Sequence, residues 1–199
     1  MADKYDAVFV EPATDARRTL LDELREHALV IGEVVLSSGK TAQYYVDAKR
    51  ALLRPAAFRA VGALLAEEAA ARDAAAVGGL TMGADPLACA AIGAPGGEGL
   101  IAFFVRKERK EHGLQRWVEG PLLEPGTRCL VVEDVVTTGG STIKAIERMR
   151  EEALEIAGVV SIVDRLTGGA EAITQAAGGA PYRPLVTIDE LYPDRPDRA

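Results

Sequence analysis

The sequence predicts an α/β fold, a central, mainly parallel sheet flanked by helices. Three observations carry this expectation. The segments "LIAFFV" at 100–105 and "RCLVVEDV" at 128–135 are apolar almost throughout, as strands covered on both faces must be. Between such runs lie stretches whose apolar residues recur at helical spacing, so strands and helices alternate along the chain. The length of 199 residues with 48% hydrophobic content suits one domain with a sizeable core, and no internal repeat or low-complexity tract breaks the alternation.

Taken in order, residues 15–30 read as an amphipathic helix, with acids and bases between apolar positions. "VVLSSGKTAQYYVDA" at 34–48 reads as two short extended pieces around a Ser-Gly turn. Pro55 suits the first turn of a helix over 55–72. "AAAVGGL" at 74–80 is a short strand that reaches a glycine pair, and 83–94 the helix after it. After the strands at 100–105 and 128–135, residues 138–154 form a helix, 155–165 a strand, 171–179 a short helix and 184–191 a last strand. Residues 106–122 interrupt the alternation with a long polar, charged segment. Loops of that length in compact domains are functional or disordered.

Several classes are excluded by composition. A net charge of −7 argues against a nucleic-acid partner. No apolar run of membrane-spanning length is present, so no membrane partner is expected. "MADKYDAVFVEP" lacks a basic region followed by an apolar stretch, so no signal peptide is expected and the location is cytoplasmic. Cys89 and Cys129 sit among apolar residues and read as buried free thiols. No Cys/His cluster has metal-ligand spacing. His27 reads as a partly exposed structural histidine. "SSGKT" is not a nucleotide-triphosphate loop, because six residues rather than four separate Gly32 from Gly39.

The chemistry concentrates in "LVVEDVVTTGGSTIKAIERM" at 130–149. Ligands of open α/β sheets bind at the carboxyl ends of the strands, which is where Glu133 and Asp134 fall. The Thr/Gly/Ser loop that follows offers backbone N–H groups and a helix N-terminus to an anion. Hydroxyl-accepting acids one step upstream of a phosphate cradle suit a phosphorylated sugar. In the segment 103–120, Arg106, Lys107, Arg109, Lys110 and Arg116 are concentrated in an otherwise acidic chain. By composition alone they form either a solvated surface loop or a mobile cationic loop that stabilises an anionic leaving group.

The stretch 130–149 resembles the phosphoribosyl pyrophosphate (PRPP) motif of type I phosphoribosyltransferases, a motif that purine salvage enzymes share. Arg106, Lys107, Lys110, His112 and Gly113, following an apolar strand, resemble the flexible catalytic loop of orotate phosphoribosyltransferases. The resemblance runs from "SSGKTAQYYVD" to "VVSIVDR". It implies the type I phosphoribosyltransferase fold: a single domain over 1–199, with a small N-terminal hood at about 1–50 and a flexible catalytic loop at about 106–122. It implies that Arg106, Lys107, Lys110 and His112 contact PRPP, some of them across a homodimer interface. Glu133 and Asp134 would hold the ribose hydroxyls. Val135, Val136, Thr137, Thr138, Gly139, Gly140 and Ser141 would cradle the 5′-phosphate. Thr137 would also touch orotate, Arg165 would grip its carboxylate, and Tyr44 and Tyr45 would flank its ring. Mg2+ is the implied cofactor, carried on PRPP oxygens with no protein cage.

Two departures from the family pattern stand out. Ser37 occupies a position where many members carry a lysine that meets PRPP, and Lys40, beyond the glycine, is the candidate replacement. Met82 and Asp85 lie in a segment where many members carry another lysine. The rival readings are a phosphoribosyltransferase for a purine base and a PRPP-sensing regulator without catalysis. The regulator would need a DNA-binding module, and the roughly 30 residues before the core, acidic on balance, show no helix-turn-helix.

Overall fold

The computed structural model describes residues 13–35, 41–109 and 116–198. Two sheets appear among these residues. The smaller is an antiparallel pair, β1 (Leu29–Val35) and β2 (Thr41–Val46), preceded by helix α1 (Ala13–His27). The predicted first helix therefore ends at His27, and Leu29 and Val30 belong to the strand. A four-residue helix, α2 (Lys49–Leu52), not anticipated from sequence, leads into α3 (Pro55–Ala70), which has its proline in the first turn as expected.

The larger sheet contains β3 (Ala76–Leu80), β4 (Ile101–Val105), β5 (Val118–Glu119), β6 (Arg128–Val136), β7 (Glu155–Asp164) and β8 (Tyr182–Thr187). Its order is β5-β4-β3-β6-β7-β8. All neighbours run parallel except β5, which pairs antiparallel with β4. The helices between the strands are α4 (Asp85–Ile92), α5 (Gly140–Glu151) and α6 (Gly169–Ala176), and α7 (Ile188–Leu191) follows β8.

The predicted α/β architecture is present, with two local corrections. The segment 106–122 is not irregular throughout. Arg106 and Trp117 join its flanks through a backbone hydrogen bond of 2.9 Å, and β5 continues that pairing. The last predicted strand, 184–191, stops at Thr187. There the Thr187 hydroxyl accepts from the Glu190 N–H while the Glu190 carboxylate accepts from the Thr187 N–H, a capping box that turns 188–191 into α7.

Side-chain alternation on the strands sorts the core into two layers. Leu130 and Val132 of β6 face the layer built from Leu20, Leu24, Leu65 and Leu87. Cys129 and Val131 face Phe103, Ile146, Met149 and Ile173. Each fully buried Leu, Ile or Phe contributes roughly 1.5–3 kcal/mol relative to exposure. This rigid double layer holds the strand ends in register. Cys129 lies in it with its thiol pushed up to about 12, first by burial and then by the charge of Glu155, so it is inert. Cys89, by contrast, is exposed, against the expectation of a buried thiol.

Strand order reverses between β3 and β6. From β3 the chain moves outward to β4 and then returns to the other side of β3 as β6. That switch point opens a crevice at the carboxyl ends of the two strands.

Candidate active site

The crevice between the ends of β3 and β6 gathers the acid pair. Glu133 and Asp134 are 6% and 8% exposed, which is low for adjacent carboxylates. Both reach over the segment that follows β3. A Cβ added at Gly83 would lie 2.6 Å from Asp134 Oδ1 and 3.1 Å from Glu133 Oε1, so only glycine lets that backbone approach. The Asp134 carboxylate accepts from Lys49 Nζ at 2.9 Å and from the Val135 N–H at 2.9 Å. Glu133 accepts from the Thr142 hydroxyl at 3.2 Å. Burial, followed by the charge of Asp134, pushes Glu133 up to about 8, so at neutral pH Glu133 holds its proton. Burial alone would lower Lys49, but its hydrogen bond to Asp134 and the charges of Asp134 and Asp47 outweigh that and raise it. The crevice therefore presents a protonated acid beside a carboxyl group paired with Lys49.

Lys49 had no sequence signal, since it lies 85 residues from Asp134 on an unpredicted helix. It places a cation in the crevice of a chain that has Ser37 and Met82 in segments where the family pattern has lysines. Lys40 and Ser37 themselves lie outside the described residues.

Beyond the acids, Val136 is buried and Val135 half-buried, so these two offer a ligand backbone rather than side chains. Thr137, Thr138, Gly140 and Ser141 are exposed around the buried Gly139. Gly139 is the N-cap of α5 at φ +79°, and no side chain caps the helix there, neither Thr138 nor any other. The first N–H groups of α5 thus remain directed at the loop's concave side.

The end of β7 is stitched to this cradle. The Arg165 N–H donates to the Val136 carbonyl at 2.9 Å, and the Thr167 hydroxyl to the Thr137 carbonyl at 2.9 Å. Asp164, 2% exposed, accepts from the Leu166 N–H at 2.7 Å and from the Tyr182 hydroxyl at 2.9 Å. This shapes the turn that presents Arg165. The Arg165 guanidinium lies 5.2 Å from the ring centroid of Tyr44, and its Nε is buried with no hydrogen-bond partner among the described residues. Tyr44 is 3% exposed, stands edge-on to Tyr192 at 5.5 Å, and donates to Asp197 at 3.1 Å. Tyr45, the next residue on β2, is 39% exposed and faces the other way. The structure therefore brings Tyr44, Thr137 and Arg165 together and sets Tyr45 apart from them.

On the far side of β3 from the acids, a cleft of about 350 Å3 is lined by Thr81, Phe104, Arg106, Lys107, Glu108 and Glu119. Arg106 donates to the Glu108 carbonyl and to Glu119, both at 3.1 Å, and Lys107 is exposed. Lys110 and His112 lie outside the described residues. Among the described residues no group of three or more His, Cys, Asp or Glu side chains is arranged to hold a metal ion, and no helix is long and apolar enough to cross a membrane.

Comparison with known proteins bears on this geometry. The model of the phosphoribosyl transferase domain family matches residues 48–176. The orotate phosphoribosyltransferase of Corynebacterium glutamicum strain R is 50% identical over 177 residues, which is 89% of this chain and 94% of that protein. A crystal structure of Mycobacterium tuberculosis H37Rv orotate phosphoribosyltransferase in complex with Fe(III) dicitrate superposes with a TM-score of 0.80 at 45% identity, covering 89% of this chain and 99% of that one. The same M. tuberculosis enzyme in complex with PRPP gives 0.75 at 40% identity, covering 88% and 98%. The chain belongs to the phosphoribosyl transferase family, within its group of orotate phosphoribosyltransferases.

Proposed function

We propose that this protein transfers the 5-phosphoribosyl group of PRPP to orotate, giving orotidine 5′-monophosphate and pyrophosphate in pyrimidine synthesis. The observation that carries the reading is the meeting, at one topological switch point, of the Glu133–Asp134 pair, the 137–141 cradle and the Arg165–Tyr44 pair. The similarity to orotate phosphoribosyltransferases over most of the chain points the same way.

The chemistry is a matter of holding charges in position. The cradle N–H groups and hydroxyls bind the 5′-phosphate. Asp134, paired with Lys49, accepts from one ribose hydroxyl, and the protonated Glu133 accepts from or donates to its neighbour. The C1–O bond to pyrophosphate breaks, the ribose gains positive character, and the orotate nitrogen bonds to C1 from the opposite face as its N–H proton passes to water. No side chain needs to act as a nucleophile. The Arg165 guanidinium, placed over the Tyr44 ring with Nε unpartnered among the described residues, meets the orotate carboxylate as a planar fork. Arg106, Lys107, Lys110 and His112 oppose the charge that develops on pyrophosphate.

The donor set fits Mg2+ that arrives on the substrate. Two carboxylates, one neutral and one already paired with Lys49, are a poor cage but a good partner for a sugar whose oxygens carry the ion. Bound there, Mg2+ would supply Lewis-acid neutralisation of the pyrophosphate. We further propose a homodimer in which loop cations reach the neighbour's PRPP. The test is direct: purified protein with PRPP and Mg2+ should deplete orotate absorbance and release pyrophosphate. Turnover of adenine, guanine or hypoxanthine with orotate left intact would replace this reading by the purine one.

A further inference from the structure

The two flanks of the catalytic loop meet on a single side chain from α5. The Arg148 guanidinium donates to the Arg106 carbonyl at 2.6 Å and to the Lys107 carbonyl at 2.7 Å. Its Cζ lies over Trp117, 4.3 Å from the ring centroid, a cation–π contact. Trp117 is itself tied to the same helix, through its N–H to Glu152 at 2.8 Å and its Nε1–H to Glu151 at 2.6 Å. Arg109 joins from the near flank, 3.5 Å from Glu151 and 5.4 Å from the Trp117 ring. So the helix that begins at the anion cradle clasps, near its other end, the residues on both sides of 110–115.

We propose that Arg148 is a positioning residue for the transfer: it holds the backbone of Arg106 and Lys107 at a set distance from the cradle. Gly140 and Arg148 are eight positions apart on one rigid helix, about 12 Å along its axis. One end of α5 faces the 5′-phosphate and the other fixes the roots of the cations that oppose the pyrophosphate. The inference rests on the reaction proposed above. Only arginine combines the two contacts, because its planar edge donates a pair of hydrogen bonds while its face stacks on an indole. A structural account competes with this one: a cation in the last turns of a helix offsets the helix dipole wherever it points.

Kinetics and the emission of Trp117, the single tryptophan of the chain, separate the two accounts. Arg148→Ala should shift Trp117 emission to longer wavelength and raise the KM for PRPP by about tenfold to a hundredfold, leaving the KM for orotate unchanged. Arg148→Lys keeps the charge and the helix but should not restore the KM. PRPP affinity measured by calorimetry without orotate should fall in step. A shifted emission with wild-type PRPP affinity would overturn the proposal and leave a structural contact. Full rescue by Arg148→Lys would overturn it as well, since charge alone would then suffice. Absence of orotate turnover in the unsubstituted protein would sink the reaction instead, and calorimetry with PRPP would still decide the role of Arg148.

Discussion

At the residue scale, Arg165 and Glu133 are each held in an unusual state by their surroundings. The Nε of Arg165 is buried and unpartnered among the described residues, and its guanidinium rests against Tyr44. A donor so placed awaits an acceptor. Arg165→Ala should therefore raise the KM for orotate by about 100-fold or more, the scale of a lost charge-assisted pair, and change the KM for PRPP little. Steady-state kinetics with each substrate varied in turn decides it, and equal effects on both would remove Arg165 from the base pocket. Glu133 makes a thermodynamic signature. In the unfolded chain it loses its proton near its ordinary 4.5, whereas in the fold it keeps the proton up to about 8. Between those values the folded state binds more protons, so this group's contribution to stability is full below 4.5, falls as pH rises, and is gone above 8. Urea unfolding of the ligand-free protein from pH 4.5 to 9 should show a downward slope that Glu133→Gln flattens. Identical slopes for the two proteins would mean that Glu133 ionises normally.

At the element scale, the strand–loop–helix of β6 and α5 depends on the left-handed backbone at Gly139. A Cβ there would sit 2.8 Å from Ile173 Cγ1 on α6. Gly139→Ala should cost about 2 kcal/mol from strain and overpacking, and should raise the KM for PRPP because the cradle must shift. An unchanged unfolding midpoint together with an unchanged KM would show that the loop tolerates the side chain. Most of this framework was legible in the sequence. β4, β6 and β7 are continuous apolar runs because both faces are covered, and the acids of β6 stand out against such a run. Other features had no readable signal or a misread one. The apolar residues of 184–191 suit a strand, but Thr187 and Glu190 stand at capping-box spacing, and that signal marks where α7 begins. β5 is two residues long, too short to show a period. Lys49 reaches Asp134 only through the tertiary fold, and Tyr44 parts from Tyr45 because β2 places its successive side chains on opposite faces. Arg148 carries no sequence signal, because the Arg106 and Lys107 carbonyls it meets are 42 and 41 residues away along the chain.

At the scale of the whole molecule, the proposed homodimer has a complementation test. Lys110→Ala and Asp134→Ala should each be inactive alone. If the lysine acts across the interface, a mixed dimer contains one site with an intact loop and an intact acid pair, and activity returns on subunit exchange. If it acts within its own subunit, every site keeps a defect, and silence after verified exchange would reject the shared site. A different consequence follows from the contacts between α1 and the last strand. Arg17 donates to the Leu185 carbonyl at 3.0 Å and to Glu190 at 2.5 Å, and Arg25 to the Glu190 carbonyl at 2.7 Å, across separations of 168, 173 and 165 residues. Tyr44 closes on Asp197 across 153. On the ribosome α1 and β2 are made well before β8 and α7, the elements they close on. Loops of that length close slowly: α1 can pack on α3 early, but its anchors at Leu185 and Glu190, and the Leu185, Ile188 and Leu191 side chains of the same core layer, are missing until β8 and α7 emerge. Translation must therefore pass β8 and α7 before the Tyr44–Tyr192 wall beside Arg165 is complete, so nascent chains stalled before residue 185 should be the ones that need a chaperone.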